Sequence, residues 1–121
     1  MSTAAARAAH LIEAAALIER DGLHKGDYWP GYSEQAHYQP GMPCCSMGAI
    51  AVTSDATLPA GEFNPEEVIP AAADLSRYIN RGRPSGLARW LHDWNDEEAR
   101  TAVHVAEAMR GCAAELRRVC G

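Results

Sequence analysis

The sequence predicts an all-α fold: a compact bundle of four or five helices, with one long aromatic loop after the first. Three observations carry this. Apolar residues recur at spacings of three and four along most of the chain, the pattern of helices that bury one face. No stretch alternates apolar and polar residues long enough to make a strand. The hydrophobic fraction of 47% leans on alanine, with a single Phe, and a core of Ala, Leu, Ile and Val suits closely packed helices better than a sandwich. At 121 residues the chain is expected to form one domain, 1–121, with one modest core.

The first helix shows as a stripe of Ala4, Ala8, Leu11, Ala15 and Ile18, with Ile12 beside it. Ser2 or Thr3 is placed to cap its start. Gly22 marks its end, expected in a left-handed conformation with Leu23 closing back on Ile18 as in a Schellman motif.

Residues 24 to 43 do not continue a helix. Gly26, Pro30, Gly31, Pro40, Gly41 and Pro43 break any periodicity, while Tyr28, Trp29, Tyr32 and Tyr38 make the segment aromatic. A loop of roughly 20 residues is uncommon in a compact domain and is usually functional or holds structure of its own. A short irregular hairpin about Trp29-Pro30-Gly31-Tyr32 is the regular element it suggests.

A second, short helix is expected from about Cys44 to Ser54. Cys44, Met47, Gly48 and Ala51 lie on one face, with Cys45, Ala49 and Val52 on the next. Of the adjacent cysteines, Cys45 is the one expected to be buried. After a linker over 55 to 64, Asn64-Pro65-Glu66-Glu67 reads as an N-cap, a proline at the first helical position and a capping-box glutamate. Pro70 is expected to kink this helix or to split a short turn from a helix over about 70 to 80, whose inner stripe is Ala71, Leu75, Tyr78 and Ile79.

Arg81 to Gly86 is a break. Leu87, Trp90, Leu91 and Trp94 then give an i, i+3, i+4, i+7 stripe over two turns. Asn95 is read as the cap of a final helix, with Asp96, Glu97 and Glu98 in its first turn, where the dipole favours negative charge. That helix carries Ala99, Ala102, Val103, Ala106, Met109, Ala113, Leu116 and Cys120 along one side and ends near Val119.

The formal charge of -5 argues against non-specific binding to nucleic acid or to an anionic membrane. No apolar run approaches the roughly 18–20 residues that span a bilayer. The N-terminus lacks the apolar segment of a signal peptide, so a cytoplasmic location is expected. Cys44, Cys45, Cys112 and Cys120 should then be mostly thiols.

Chemistry-bearing residues gather in a few places. A cysteine in the first turn of a helix feels the positive end of the dipole, which favours thiolate. Cys45 could therefore serve as a nucleophile with His37 or His24 as base, although hydrolases of that kind set the histidine on a sheet. His24, His37 and Cys45 are also the candidate ligands of a metal site, but no C-x-x-C or H-x-x-x-H frame supports one. Helix capping accounts for the acidic cluster at residues 92 to 98, HDWNDEE, which fits no calcium loop. Arg77, Arg81, Arg83 and Arg89 read as cations around a helix C-terminus.

Three short motifs occur in order: RDGLHKGDY after the first helix, C-S-M-G-A-I from Cys45 to Ile50, and W-N-D from Trp94 to Asp96. Together they resemble a family of small uncharacterised helical proteins of actinobacteria and their phages, over residues 7 to 118. The matching positions are Gly22, Gly26 and Tyr28; Cys45, Gly48, Ala49 and Ile50; and Trp94, Asn95 and Asp96. Departures from the pattern are the extra Cys44, His24 where similar sequences often carry cysteine, and a longer loop over 29 to 43. The resemblance implies no activity.

The function expected from all this is that of a small cytoplasmic, non-catalytic accessory protein that binds another protein, in one form a phage-encoded modulator of a host factor. The expected contact residues are Tyr28, Trp29, Tyr32, His37, Tyr38 and Trp90. No cofactor, nucleic acid or membrane partner is expected, and a homo-oligomer is compatible with the composition. The alternatives are a thiol-dependent enzyme built on Cys45 and a structural metal module.

Overall fold

The structure is a computed structural model that describes residues 3–33, 38–54 and 64–119. Five α-helices make up the described chain: α1 (Ala4–Asp21), α2 (Ser46–Val52), α3 (Pro65–Asn80), α4 (Leu91–Asp96) and α5 (Ala102–Val119), with a 3₁₀ turn at Ser85–Leu87. The expected all-α bundle is what the chain forms. The two long helices, α1 and α5, pack on each other more extensively than any other pair; α2 and α3 pack against them, and α4 packs against α2 and α3.

The start of α1 is capped as its sequence suggests, with Thr3 Oγ1 accepting from the Ala6 N–H at 3.0 Å. Its inner stripe is broader than a single line: Ala14 and Leu17 are buried beside Ala8, Leu11, Ala15 and Ile18, because α1 faces three other helices. At its end the Gly22 N–H donates to Ile18 O at 2.9 Å. Gly22 has φ 100 and ψ 169, a positive φ but not the left-handed helical turn of a Schellman motif. That region is open essentially to glycine alone. It sends the chain onward in extended form and lays Leu23 against Cys44 in an isolated parallel bridge.

The α3 start follows its motif in the cap and the proline, with Asn64 Oδ1 accepting from the Glu66 N–H at 3.0 Å and Pro65 opening the helix, but the exposed Glu67 side chain closes no capping box. Pro70 neither splits nor ends it: the helix runs unbroken from Pro65 to Asn80. The bond Pro70 cannot donate would go to the carbonyl of Glu66, an exposed first-turn residue, where water can take its place. Asp74 is buried on the inner face and is held by Arg7 of α1 (Nε to Oδ2, 2.5 Å) and by Arg77.

The last third of the chain departs from the expected pattern. Leu87 and Trp90 do not join an inner stripe; they are 64% and 79% exposed. Asn80 is the reason. Its Oδ1 accepts from the Arg89 N–H at 2.6 Å and its Nδ2 donates to Arg89 O at 2.9 Å, so it holds the chain before α4 out of a helix. Only Leu91 and Trp94 of the predicted stripe are buried. Asn95 does not cap the last helix but sits inside α4, 1% exposed.

The last helix instead starts at Ala102. Thr101 Oγ1 accepts from the His104 N–H at 3.3 Å, and His104 Nδ1 accepts in return from the Thr101 N–H at 3.2 Å. This is a capping box with histidine in the glutamate's place. Ala99 lies ahead of the helix, Val103 is 59% exposed, and the buried face is Val105, Ala106, Met109, Cys112 and Ala113. Among the described residues no helix is long and apolar enough to cross a membrane.

Candidate functional site

The aromatic loop is shaped by two Pro-Gly turns. In one, the Tyr32 N–H donates to Trp29 O at 3.1 Å, with Gly31 at φ 73; in the other, the Met42 N–H donates to Gln39 O at 3.1 Å, with Gly41 at φ 94. Each places proline second and a positive-φ glycine third, the arrangement of a type II turn. No ladder of a hairpin accompanies them among the described residues. Four rings meet here edge to face: Tyr28 with Tyr32 at 4.8 Å, Trp29 with Tyr32 at 5.1 Å, and Trp29 with Tyr38 at 5.6 Å between centroids. Trp29 is the buried centre of the cluster, and Tyr32 is exposed.

Below this cluster three segments distant in sequence are tied together by polar contacts. The His24 N–H donates to Cys44 O at 2.9 Å, and the Cys45 N–H to Tyr28 O at 2.9 Å. Cys45 caps α2, its Sγ accepting from the Gly48 N–H at 3.2 Å. Gly48 lies so close to the loop that a Cβ there would stand 2.4 Å from the Tyr28 carbonyl oxygen, so only glycine fits.

From α4, Asn95 reaches into the same place. Its Oδ1 accepts from Ser46 N at 2.8 Å and from Ser46 Oγ at 2.6 Å, while its Nδ2 donates to His24 O at 3.1 Å and to Asp96 Oδ1 at 2.9 Å. Asp96 Oδ1 also accepts from the Gly26 N–H at 3.1 Å, and its Oδ2 lies 3.3 Å from His92 Nε2. Lys25 donates to the carbonyls of Glu97 (2.6 Å) and Glu98 (3.2 Å).

A cleft of about 390 Å³ opens beside this knot. The loop lines it with Asp27, Tyr28 and Tyr32, the start of α2 with Cys45, Ser46 and Met47, and α4 with Leu91, His92 and Asn95. The structure thus brings together Tyr28, Trp29, Tyr32 and Tyr38, with the first and third facing the cleft, and adds Cys45. Trp90 stands outside the aromatic cluster, exposed at the N-cap of α4. His37 lies outside the described residues. Sequence reading missed Asp27, Met47, Leu91 and His92 as lining residues; the i, i+4 spacing of His92 and Asp96 was the one local signal available.

The thiols are not activated. Burial pushes Cys45 up to about 11, outweighing the Gly48 and Met47 N–H groups that favour its thiolate. Burial, with Cys45 and Asp21 nearby, pushes Cys44 up to about 12. Burial thus outweighs the placement at a helix start and favours the neutral thiol at neutral pH. Both cysteines are buried, Cys44 at 0% and Cys45 at 6% exposure, so the expectation that only Cys45 is buried fails. The parallel bridge to Leu23 draws Cys44 inward. The histidine lining the Cys45 cleft is His92, not His24. Among the described residues no three His, Cys, Asp or Glu side chains converge to hold a metal ion.

The motif positions Gly26, Tyr28, Cys45, Gly48, Asn95 and Asp96 thus build the knot together with His24 and Ser46. A family model described as a family of unknown function, DUF6197, matches residues 2–115. The chain belongs to this family. The match spans all five helices short of the last residues of α5, so the knot and the cleft both lie within the DUF6197 region. No curated protein and no solved structure matches the chain.

Proposed function

We propose that this member of DUF6197 is a small non-catalytic accessory protein that acts by binding another protein, through the cleft and the apolar turn that leads into α4. One observation carries the reading: Trp90 and Leu87 stand 79% and 64% exposed on a backbone that Asn80 pins from both sides of Arg89. The ion pair of Arg89 with Glu97 fixes the same turn to the far end of α4. An indole held out in water on a fixed backbone gains free energy when a partner covers it, and little ordering entropy is lost in the process. Tryptophan is also enriched among the residues that dominate binding energy at protein interfaces. The raised thiols leave the competing thiol-enzyme reading without electrostatic support. If the resemblance to phage-encoded proteins carries over, the partner is a host factor.

The test is affinity capture with the wild-type chain and with Trp90→Ala as parallel baits, after thermal unfolding has shown that both are folded. The reading expects a protein retained by the wild type and lost by the variant. Identical recovery on both baits, or self-association through this face in sedimentation, overturns it.

A further inference from the structure

We infer that the cleft between the aromatic loop and α4 receives an arginine side chain from a basic segment of the partner protein. The inference rests on the protein-binding reading above and names the chemistry of what is bound. It starts from Asp27. This carboxylate lines the cleft, is exposed, and has no hydrogen bond or ion pair with any described residue. No lysine or arginine lines the cleft to neutralise it. Its chain neighbour Lys25 is committed elsewhere, to the carbonyls of Glu97 and Glu98, and His92 is turned to Asp96.

The polar groups of Ser46 and Asn95 are already spent on the fold. Ser46 Oγ donates to Asn95, and both Asn95 amide contacts run to His24 and Asp96. Among the described residues the cleft therefore offers a free negative charge and two tyrosines, ring and hydroxyl, and no free cationic donor for an anion. Tyr28 and Tyr32 meet at 4.8 Å and 76°, so their π-faces point in different directions around the opening. A planar guanidinium can stack on such a face while bonding a carboxylate through its N–H fork. Met47 and Leu91 supply apolar surface for its aliphatic stem. The molecule builds the same stacking twice within itself, with Arg81 over Tyr78 at 4.3 Å and Arg100 over Trp94 at 4.2 Å from ring centroids. A space of about 390 Å³ lies near the low end of ligand pockets, room for one long side chain and its flanks but not for a helix. The net charge of -5 draws a basic segment toward the surface.

The experiment titrates the ¹⁵N-labelled full chain with the peptide acetyl-Gly-Arg-Gly-Arg-Gly-amide and with analogues carrying citrulline, lysine or glutamate in place of arginine. Amide shifts are expected at Gly26–Tyr32 and Leu91–Asn95 with the arginine peptide, weaker shifts with lysine, and none with citrulline or glutamate. Asp27→Asn, at an exposed position, should weaken the arginine peptide by at least about threefold, as should raising the salt. Equal binding of the citrulline peptide, or an affinity unchanged by Asp27→Asn, overturns the inference. The titration needs no natural partner, so its outcome is separable from the capture experiment. A partner lost by Trp90→Ala but kept by Asp27→Asn would leave the docking reading standing and remove the arginine.

Discussion

In α1 and α5 the buried side chains are Ala8, Leu11, Ala14, Ala15, Leu17 and Ile18 on one helix and Val105, Ala106, Met109, Cys112 and Ala113 on the other. None is charged or amide-bearing, and apart from the half-exposed Glu19–Arg110 ion pair at their rim the helices cohere by burial. Around Asn95 the opposite holds: segments near residues 24, 46 and 95 are joined by side-chain-to-backbone hydrogen bonds, buried at Ser46 and partly buried at His24. Burial is graded, since each methylene removed costs a similar amount. A buried polar knot is not graded, because removing one partner leaves the others unsatisfied. The difference bears on function, since the cleft is lined by the knot and not by the helix pair.

The largest effect expected is at Trp94, which precedes Asn95 on α4 and is buried in the hydrophobic core. Its indole is 7% exposed and covered by the Arg100 guanidinium, and its carbonyl accepts from Arg100 Nε at 3.0 Å. Trp94→Ala should cost about 3–5 kcal/mol. Trp90→Ala, four residues earlier and exposed, should stay within about 0.5 kcal/mol. Denaturant unfolding of the two variants measures the difference; equal losses would mean that Trp90 is packed and not presented.

Next comes Asn95→Ala. It strands the buried Ser46 N–H and Oγ and removes the partner of the part-buried His24 carbonyl, and should cost about 2–4 kcal/mol, more than the roughly 1 kcal/mol of a lost helix cap. A loss near 1 kcal/mol in equilibrium unfolding would show the knot to be dispensable and would erase the contrast with the helix pair.

That contrast also explains what was legible in the sequence. Thr3, Asn64 with Pro65, and the stripes of α1 and α3 act within a few residues, and periodicity and capping rules read them, short of Ala14 and Leu17 on α1 and Val68 and Asp74 on α3. Asn95-Asp96-Glu97-Glu98 satisfies the same local rules for a cap, yet the asparagine is drawn 49 residues back in sequence to Ser46. No local pattern encodes that choice. Leu87 and Trp90 match a helical stripe, but Asn80 holds the intervening backbone out of a helix. The start of α5 was hidden because histidine fills the glutamate position of its capping box. The aromatic half of the cleft was visible as composition; Asp27, Leu91 and His92 join it only through tertiary folding.

Two glycines sharpen the comparison at smaller scale. A Cβ at Gly48 would meet the Tyr28 backbone oxygen at 2.4 Å, and one at Gly111 would meet the Tyr78 hydroxyl at 2.2 Å. A backbone carbonyl inside the knot cannot retreat, whereas a half-buried tyrosine tip can. Gly48→Ala should therefore destabilise by about 1–3 kcal/mol even after its gain in helix propensity. Gly111→Ala should fall within about 1 kcal/mol of wild type. Matching losses in thermal unfolding would show α5 to be as tightly constrained as the knot.

The smallest effect lies in the alkaline range and tests whether the thiols are as buried as their surroundings imply. Burial pushes Cys44 up to about 12 and Cys45 and Cys112 up to about 11 in the folded chain. In the unfolded chain each ionises near the ordinary value of about 8.5. The unfolded state therefore loses these protons first. The thiol contribution to stability is complete below about pH 8.5 and is lost progressively as pH rises toward the folded values, at no more than about 1.4 kcal/mol per pH unit for each thiol. Cys44→Ala should lower stability at pH 7 through the small cavity it leaves, yet flatten the decline above pH 8.5 by one thiol's share. At pH 9 that share is on the order of 1 kcal/mol or less. Urea midpoints at pH 7, 8.5, 9 and 9.5 for both proteins measure the slopes. Identical slopes would mean that Cys44 ionises as readily in the folded chain as in the unfolded one. The bridge to Leu23 would then fail to keep it from water, and the lower edge of the knot would be open.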